Sequence, residues 1–319
     1  MKKNTSMKLM RTFAIAIVSG SLILQGCKKD DDNGSGTSTT IKVTDAPIDD
    51  AAVTGAFVTI ADIKVDGQSV KGFQKTTVDL LAYQNGATKT IGNFNLDGKT
   101  YSSITFVLDY DKDASGNTPG AYVVTTGGTK HKLQSSSTDL TVNKSFTIES
   151  NTSNTLVADF DLRKMILAAS GNISDRFDFA TSAELESSIR VVAEKSTGTI
   201  SGKLTDNISN SGKVVAYAYR KGTFNRTTEM QAQGASGIRF KNAVSSVVVN
   251  SNGDYQLHFL ESGDYEVQFV SYKDLNNDGQ LELIGTLNIT GANNINFLNL
   301  SLGANLTLTA NASVVSVVP

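Results

Sequence analysis

From residue 41 onward, hydrophobic side chains recur at every second position, and this period restricts what the chain can become more than any other feature. Ile104, Phe106 and Leu108 alternate with Thr105, Val107 and Asp109, and Leu156, Ala158, Phe160 and Leu162 alternate with Val157, Asp159 and Asp161. The same holds for Tyr255, Leu257 and Phe259 around Gln256 and His258, and for Tyr265, Val267 and Phe269 around Glu266 and Gln268. Successive strand residues point to opposite faces, so each run predicts a strand with one buried and one wet side. Asp66-Gly67, Asn85-Gly86, Asp97-Gly98, Gly127-Gly128, Asn252-Gly253 and Asp278-Gly279 supply turn signals between runs. Leu298, Leu300 and Leu302, then Leu306 and Leu308, read as closing strands, and only 161–170 and 181–187 read as short helices. The expected fold class is all-β, with two antiparallel β-sandwich domains.

The amino terminus reads as a targeting signal. Lys2, Lys3, Lys8 and Arg11 precede an apolar run over 12–25, shorter than the roughly 20 residues a membrane span needs. The run ends in Leu24-Gln25-Gly26-Cys27, which resembles the lipobox of bacterial lipoproteins. The resemblance implies that 1–26 is a removed signal peptide and that Cys27, acylated with palmitate-like chains, anchors the mature protein in a membrane. Cys27 is the only cysteine, which also excludes an intramolecular disulfide framework and a Cys-rich zinc module. Removal of 1–26 takes away four positive charges and no acid, and so moves the formal charge from −2 to −6. Neither value suits a nucleic-acid binder with a broad basic face.

The next residues, Lys28-Lys29-Asp30-Asp31-Asp32, resemble the surface-export signal of Bacteroidetes lipoproteins. That implies an outer-membrane lipoprotein exposed at the cell surface; read from the residues alone, the run is also what a solvated tether looks like. Residues 33–40 form a Gly/Ser/Thr linker, so 27–40 is expected to be a lipidated tether and folding to begin near Ile41.

Within 41–195, Thr44-Asp45-Ala46-Pro47, Phe57-Val58-Thr59-Ile60, Asp79-Leu80-Leu81, the run over 156–166 and Ser188-Ile189-Arg190-Val191-Val192 occur in an order that resembles DUF4382, a domain family of unknown function on bacterial lipoproteins. The resemblance implies no activity and no site residues. Residues 196–319 contain Gly253, Tyr255, Leu260, Gly263, Tyr265 and Val267 in a spacing similar to transthyretin-like, carboxypeptidase-regulatory-type sandwiches. There the glycines are expected at tight turns, and the two tyrosines to pack ring-down with their hydroxyls in water.

The sharpest chemical motif is DLNNDGQLE over 274–282. Asp274, Asn276 and Asp278 stand at positions 1, 3 and 5 of a calcium-loop pattern, Gly279 at the sharp turn, Gln280 where a backbone carbonyl is used, and Glu282 at position 9. Position 12 is Gly285 rather than a bidentate Glu, so a site here would be weak, about 10⁻⁴–10⁻³ M. The other reading is a hydrated acidic turn. Asp109, Asp111 and Asp113 also alternate, but Lys112 among them favours a solvated hairpin loop. Asp45 is expected to shape a turn before Pro47, or with Asp49 and Asp50 to contribute to an ion or ligand site. Period two places Asp159, Asp161 and His258 on wet faces. Tyr217, Tyr219 and Tyr272 are expected to pack in the core or at strand edges, as aromatic strand formers do, with exposed, sugar-facing rings as the alternative. His131 and His258 lie far apart, no nucleophile elbow, HExxH or P-loop occurs, and a Ser-His-Asp triad from distant segments stays open. The expected function is a non-catalytic envelope lipoprotein that binds or scaffolds a protein or polysaccharide, without nucleic acid. The alternatives are a hydrolase with a site in the first domain, or a subunit of a surface adhesive assembly.

Overall fold

Two strands that are far apart in sequence, Thr37–Ala46 and Asn154–Asp161, run side by side in parallel and organise the first half. Lys89–Leu96 pairs antiparallel with the free side of Thr37–Ala46, and Ile189–Ala193 with the free side of Asn154–Asp161, which gives a four-stranded sheet. The long strand Val53–Val65 centres a second sheet. Ile104–Leu108 and Tyr122–Thr125 flank it, and Asp139–Val142 and Lys130–Lys132 lie outermost. The computed structural model describes residues 36–319 except 47, 49, 51, 169–176, 207, 209–211 and 277–280. Cys27, the signal peptide and most of the tether therefore lie outside the described residues, as do Pro47, Asp49, Asp278 and Gln280.

The two sheets of the first half close on one core. Ile41, Val43, Leu156 and Phe160 of one sheet join Ile60, Ile63, Phe106 and Val123 of the other in a single buried cluster. Phe106 and Phe160 meet edge to face across it at 5.3 Å. The chain then turns through Glu194–Ser196 into the second half. There one curled sheet runs in the order Ser245–Val248, Lys213–Arg220, Gly263–Lys273, Glu282–Gly291, Ala312–Val318, Thr197–Asp206 and Asp254–Glu261. Leu300–Leu302 and Thr307–Thr309 pair at its sides. Residues 35–319 form one compact unit.

The all-β class holds, with differences that have local causes. The sheets are mixed rather than purely antiparallel, because Thr197–Asp206 also runs parallel to Thr307–Thr309 and Ala312–Val318. Strand structure starts at Thr37, inside the stretch expected to be a tether, since Thr37–Thr40 pair with Asn93–Leu96. The helix expected over 161–170 is one turn, Leu162–Met165, followed by the strand Ile166–Ala168, which pairs with Phe177–Phe179. All four residues of that turn are buried, so it is a corner between strands without the wet face that a surface helix needs. The second short helix is present as Ser182–Ser187, with a capping box between Thr181 and Glu184.

The strand Lys213–Arg220 is buried on both faces. Val214, Ala216 and Ala218 join a core with Leu257, Phe269 and Phe297, while Val215, Tyr217 and Tyr219 join Phe240, Ala243, Val270 and Tyr272 on the other side. Tyr217, Tyr219 and Tyr272 are therefore core residues, as their place in strand-forming runs predicts, and not exposed rings. Tyr255 and Tyr265 are buried too. Their hydroxyls donate to the carbonyls of Ala310 and Glu261, so the expectation that they stay in water is corrected.

Candidate functional site

The densest set of ionisable groups lies where the halves meet. The parallel register sets Thr44 beside Asp159, Asp45 beside Phe160 and Ala46 beside Asp161. The antiparallel register with the next strand sets Asp159 beside Arg190. Asp159 and Asp161 are each 7% exposed, so the wet-face reading fails for both. Alternation had correctly set them opposite Phe160, but the second half covers that other face. Arg190 pairs with Asp159 at 2.6 Å and reaches across to the Phe259 carbonyl. Arg163 pairs with Asp161 at 3.1 Å and donates to the carbonyls of Arg239 at 2.6 Å and Phe240 at 3.3 Å. Its guanidinium also sits 5.1 Å above the Tyr217 ring. Lys164 pairs with Asp161 at 3.1 Å and donates to the Ala243 carbonyl at 2.7 Å.

Asp45 stands behind this cluster. It accepts from the Leu162 N–H at 3.2 Å and from the Gln84 amide at 3.4 Å, so it braces the corner and does not shape a turn of its own. Burial pushes its carboxyl well above the usual carboxylate range against the pull of the Leu162 N–H, and the Asp159 charge adds to the rise. Burial also raises Asp159, although Arg190 opposes it. Burial works in the same direction on Asp161, but Arg163 and Lys164 outweigh it and hold that carboxyl low.

Glu184 supplies a further link. It accepts from the Thr181 hydroxyl at 2.6 Å, from the Ser236 N–H at 3.2 Å and from the Ser236 hydroxyl. Burial opposes its ionisation, but the Ser236 and Thr181 donors prevail and lower its pKa to about 2. Clefts of about 260 Å³ and 290 Å³ flank the cluster.

The open question of a distant Ser-His-Asp triad meets its test beside this cluster. Asp45, Asp159, Ser246 and His258 line one cavity of about 20 Å³, room for about one water. His258 lies half-buried under the Asn85-Gly86 turn rather than on a wet face, and burial lowers its pKa. Its Nδ1 contacts the Thr199 hydroxyl at 3.2 Å, while its Nε2 and the Ser246 hydroxyl have no hydrogen-bond partner among the described residues. The nucleophile–base bond that such a triad uses is thus not made between Ser246 and His258. His131 is buried elsewhere, against Thr125 and edge-on to Phe177.

The calcium motif is only partly described. Asp274 and Asn276 follow the strand Gly263–Lys273, and Glu282 opens Glu282–Gly291. The Glu282 carboxylate accepts from the Leu275 N–H at 2.8 Å, closing the loop's neck. Among the described residues no three His, Cys, Asp or Glu side chains are placed to hold a metal ion. In the hairpin loop, Asp109 pairs with Lys75 at 2.7 Å, which lowers its pKa to about 2; Asp111 pairs with Lys132, and Asp113 accepts from the Ser115 and Asn117 N–H groups. These carboxylates are held by donors, as a solvated hairpin requires. Asp50 is likewise bound to the Ala52 N–H at 2.8 Å.

Arg163, Lys164, Arg190 and Glu184 were not legible as site residues. The available signal was four charges, Asp159, Asp161, Arg163 and Lys164, inside an otherwise apolar run; its meaning depends on a register that sequence does not reveal.

Fold and site together define a two-part β chain whose halves are joined by buried charge. Residues 36–175 match the family model described as domain of unknown function, DUF4382. The match ends before Ile189–Ala193, the strand that completes the first sheet. No curated protein matches. Among solved structures, the chain is similar to the Bacillus anthracis TIE protein at 10% identity, covering 87% of this chain and 34% of that one with a TM-score of 0.19. It thus spans about a third of that protein's length. BcpA, the major pilin subunit of Bacillus cereus, aligns at 9% identity over 87% of this chain and 70% of that one, TM-score 0.21. GBS52, the minor pilin of Streptococcus agalactiae, aligns at 14% identity over 88% and 97%, TM-score 0.21. Among the described residues no helix is long and apolar enough to cross a membrane.

Proposed function

We propose that this protein is a non-catalytic lipoprotein of the outer-membrane surface. It would be held by an acylated Cys27 and would present two β halves as one rigid scaffold to a protein or polysaccharide. The observation that carries the scaffold reading is the fate of the buried ionisable groups. Asp159, Asp161, Arg163, Lys164 and Arg190 are ion-paired with one another, and the three cations are hydrogen-bonded to main-chain carbonyls of the second half. Groups bound in that way hold a structure in place and are not poised to react. The lone cysteine after a basic and then apolar leader supports the anchor, and the Lys-then-acid run after it supports surface display. On this reading the second half is a transthyretin-like module, and its 274–282 loop takes calcium as a structural brace. An adhesive assembly is the second reading, resting on the surface placement alone.

The anchor is tested by metabolic labelling with a fatty-acid probe. Cys27→Ser should abolish the label, and a label that survives rejects the anchor. Placement is tested by protease shaving of intact cells. Alanines at 28–32 should remove the exposure seen in the wild type, and equal access before and after reduces that run to a tether.

A further inference from the structure

We propose that the buried charged face of the first half is a docking site for a main-chain turn, strong enough to hold the two halves together when the peptide link between them is cut. The proposal deepens the rigid-scaffold reading and names what is recognised. Most of what this face grips on the second half is backbone. Arg163 takes the carbonyls of Arg239 and Phe240, Lys164 that of Ala243, Arg190 that of Phe259, and Glu184 the N–H of Ser236. Three of those carbonyls fall within 239–243, so their convergence is a property of the turn's shape. The partner chemistry is therefore a tight turn of a β domain that offers clustered carbonyls.

The donors are arranged by the first half itself. Asp161 holds Arg163 and Lys164, and Asp159 holds Arg190 through the strand register, so each docking cation already has a carboxylate partner on its own side. A face organised in advance loses little freedom when it binds. Apolar contact continues across the junction, because Ile238 belongs to the core cluster of the first half. Asp159, Asp161, Arg163 and Lys164 all lie within the DUF4382 match, and the turn they hold lies outside it.

The test uses the full chain with a protease-recognition sequence inserted between Lys195 and Ser196, both exposed. After folding and cleavage, the two fragments should elute together from a sizing column under native conditions. In the cleaved chain, Arg163→Lys keeps the charge but loses the fork that spans two carbonyls. It should weaken association about 100-fold, so that the fragments separate on dilution. Lys164→Met tests the third carbonyl in the same way if Arg163→Lys does not fold uncut. Lys144→Ala removes only a half-exposed side-chain pair with Glu261 and should leave the cleaved complex intact. Fragments of the wild type that separate overturn the proposal. So do fragments that stay joined in both Arg163→Lys and Lys164→Met, since apolar contact alone would then suffice. Neither result touches the anchor, which the labelling experiment decides separately.

Discussion

Arg163→Met should be among the costliest single substitutions in this chain. Methionine keeps an unbranched stem over the Tyr217 ring but removes the guanidinium. Among the described residues, Asp161 then keeps only Lys164 at 3.1 Å as a partner, and its Oδ1, already without a hydrogen-bond partner there, stays buried. The Phe240 carbonyl, on a residue with no exposure, loses its Arg163 donor. Breaking a buried ion pair by removing one partner typically costs about 3–5 kcal/mol, because the remaining charge is desolvated without compensation. Lys164 keeps part of that compensation, which favours the lower end. The Arg239 and Phe240 carbonyls lose a charged donor, although the Ala243 N–H still serves that of Phe240, which adds about 1 kcal/mol. A net loss of about 4 kcal/mol should lower the melting temperature by about 8–16 °C for a unit of this size. Urea melts at neutral pH with an unchanged m-value would measure it. A double-mutant cycle with Asp161→Asn isolates the pair. The double variant should be less destabilised than the sum of the singles by about 1.5–3 kcal/mol, since the neutral amide strands no charge. A loss below about 1 kcal/mol for Arg163→Met, or a cycle additive within about 0.5 kcal/mol, would refute the claim that this cluster holds the halves.

Asp45→Asn should stabilise the protein above the ordinary carboxylate range and do little below it. The raised folded-state pKa means that the wild-type contribution is fully present at low pH and is lost as pH rises through that value, so the gain in melting temperature should grow from acid to neutral pH. Gly86→Ala should cost about 2 kcal/mol or more, because Gly86 has φ +81 and a Cβ there would lie 2.7 Å from the His258 ring. Combining it with His258→Ala should recover the steric part of the loss, and no recovery would place the whole cost in the turn. If the 274–282 loop binds calcium with a Kd of about 10⁻⁴ M, millimolar calcium should add about 1.4 kcal/mol and raise the melting temperature by roughly 4 °C. Asp278→Ala should abolish that rise, and identical melts in calcium and chelator would leave a hydrated turn.

Strand positions were legible because burial on one face leaves a period-two trace. Asp254–Glu261 follows it in the burial of its first half, whereas Ile104–Leu108 and Gly263–Lys273 carry the sequence alternation but are buried on both faces over most of their length. The same logic misplaced Asp159 and Asp161. Alternation says which residues share a side, not what covers each side, and in Asn154–Asp161 both sides are covered. Pairing of Asp159 with Arg190 needed the register of two strands about thirty residues apart in sequence, which no local pattern encodes. The helix expected over 161–170 failed for a related reason. Leu162 to Met165 have helix-compatible composition, but tertiary packing limits them to a single turn that aims Arg163 and Lys164 at the second half.

Buried ion pairs rarely add much net stability over well-packed apolar residues, because desolvation consumes most of the Coulombic gain. The cluster here is better understood through pose. Apolar surfaces tolerate sliding, whereas a guanidinium that must meet two carbonyls and a carboxylate fixes position and angle together. Arg163, Lys164 and Arg190 make that demand at separate points on the second half, the 239–243 turn and Phe259, so rotation about any one contact breaks another. On the proposed reading, a protein that works by presenting a surface benefits directly. A partner that touches both halves meets a surface already ordered, and its binding energy is not drained by fixing one half against the other. A flexible linker with the same two domains would leave that ordering cost to every binding event.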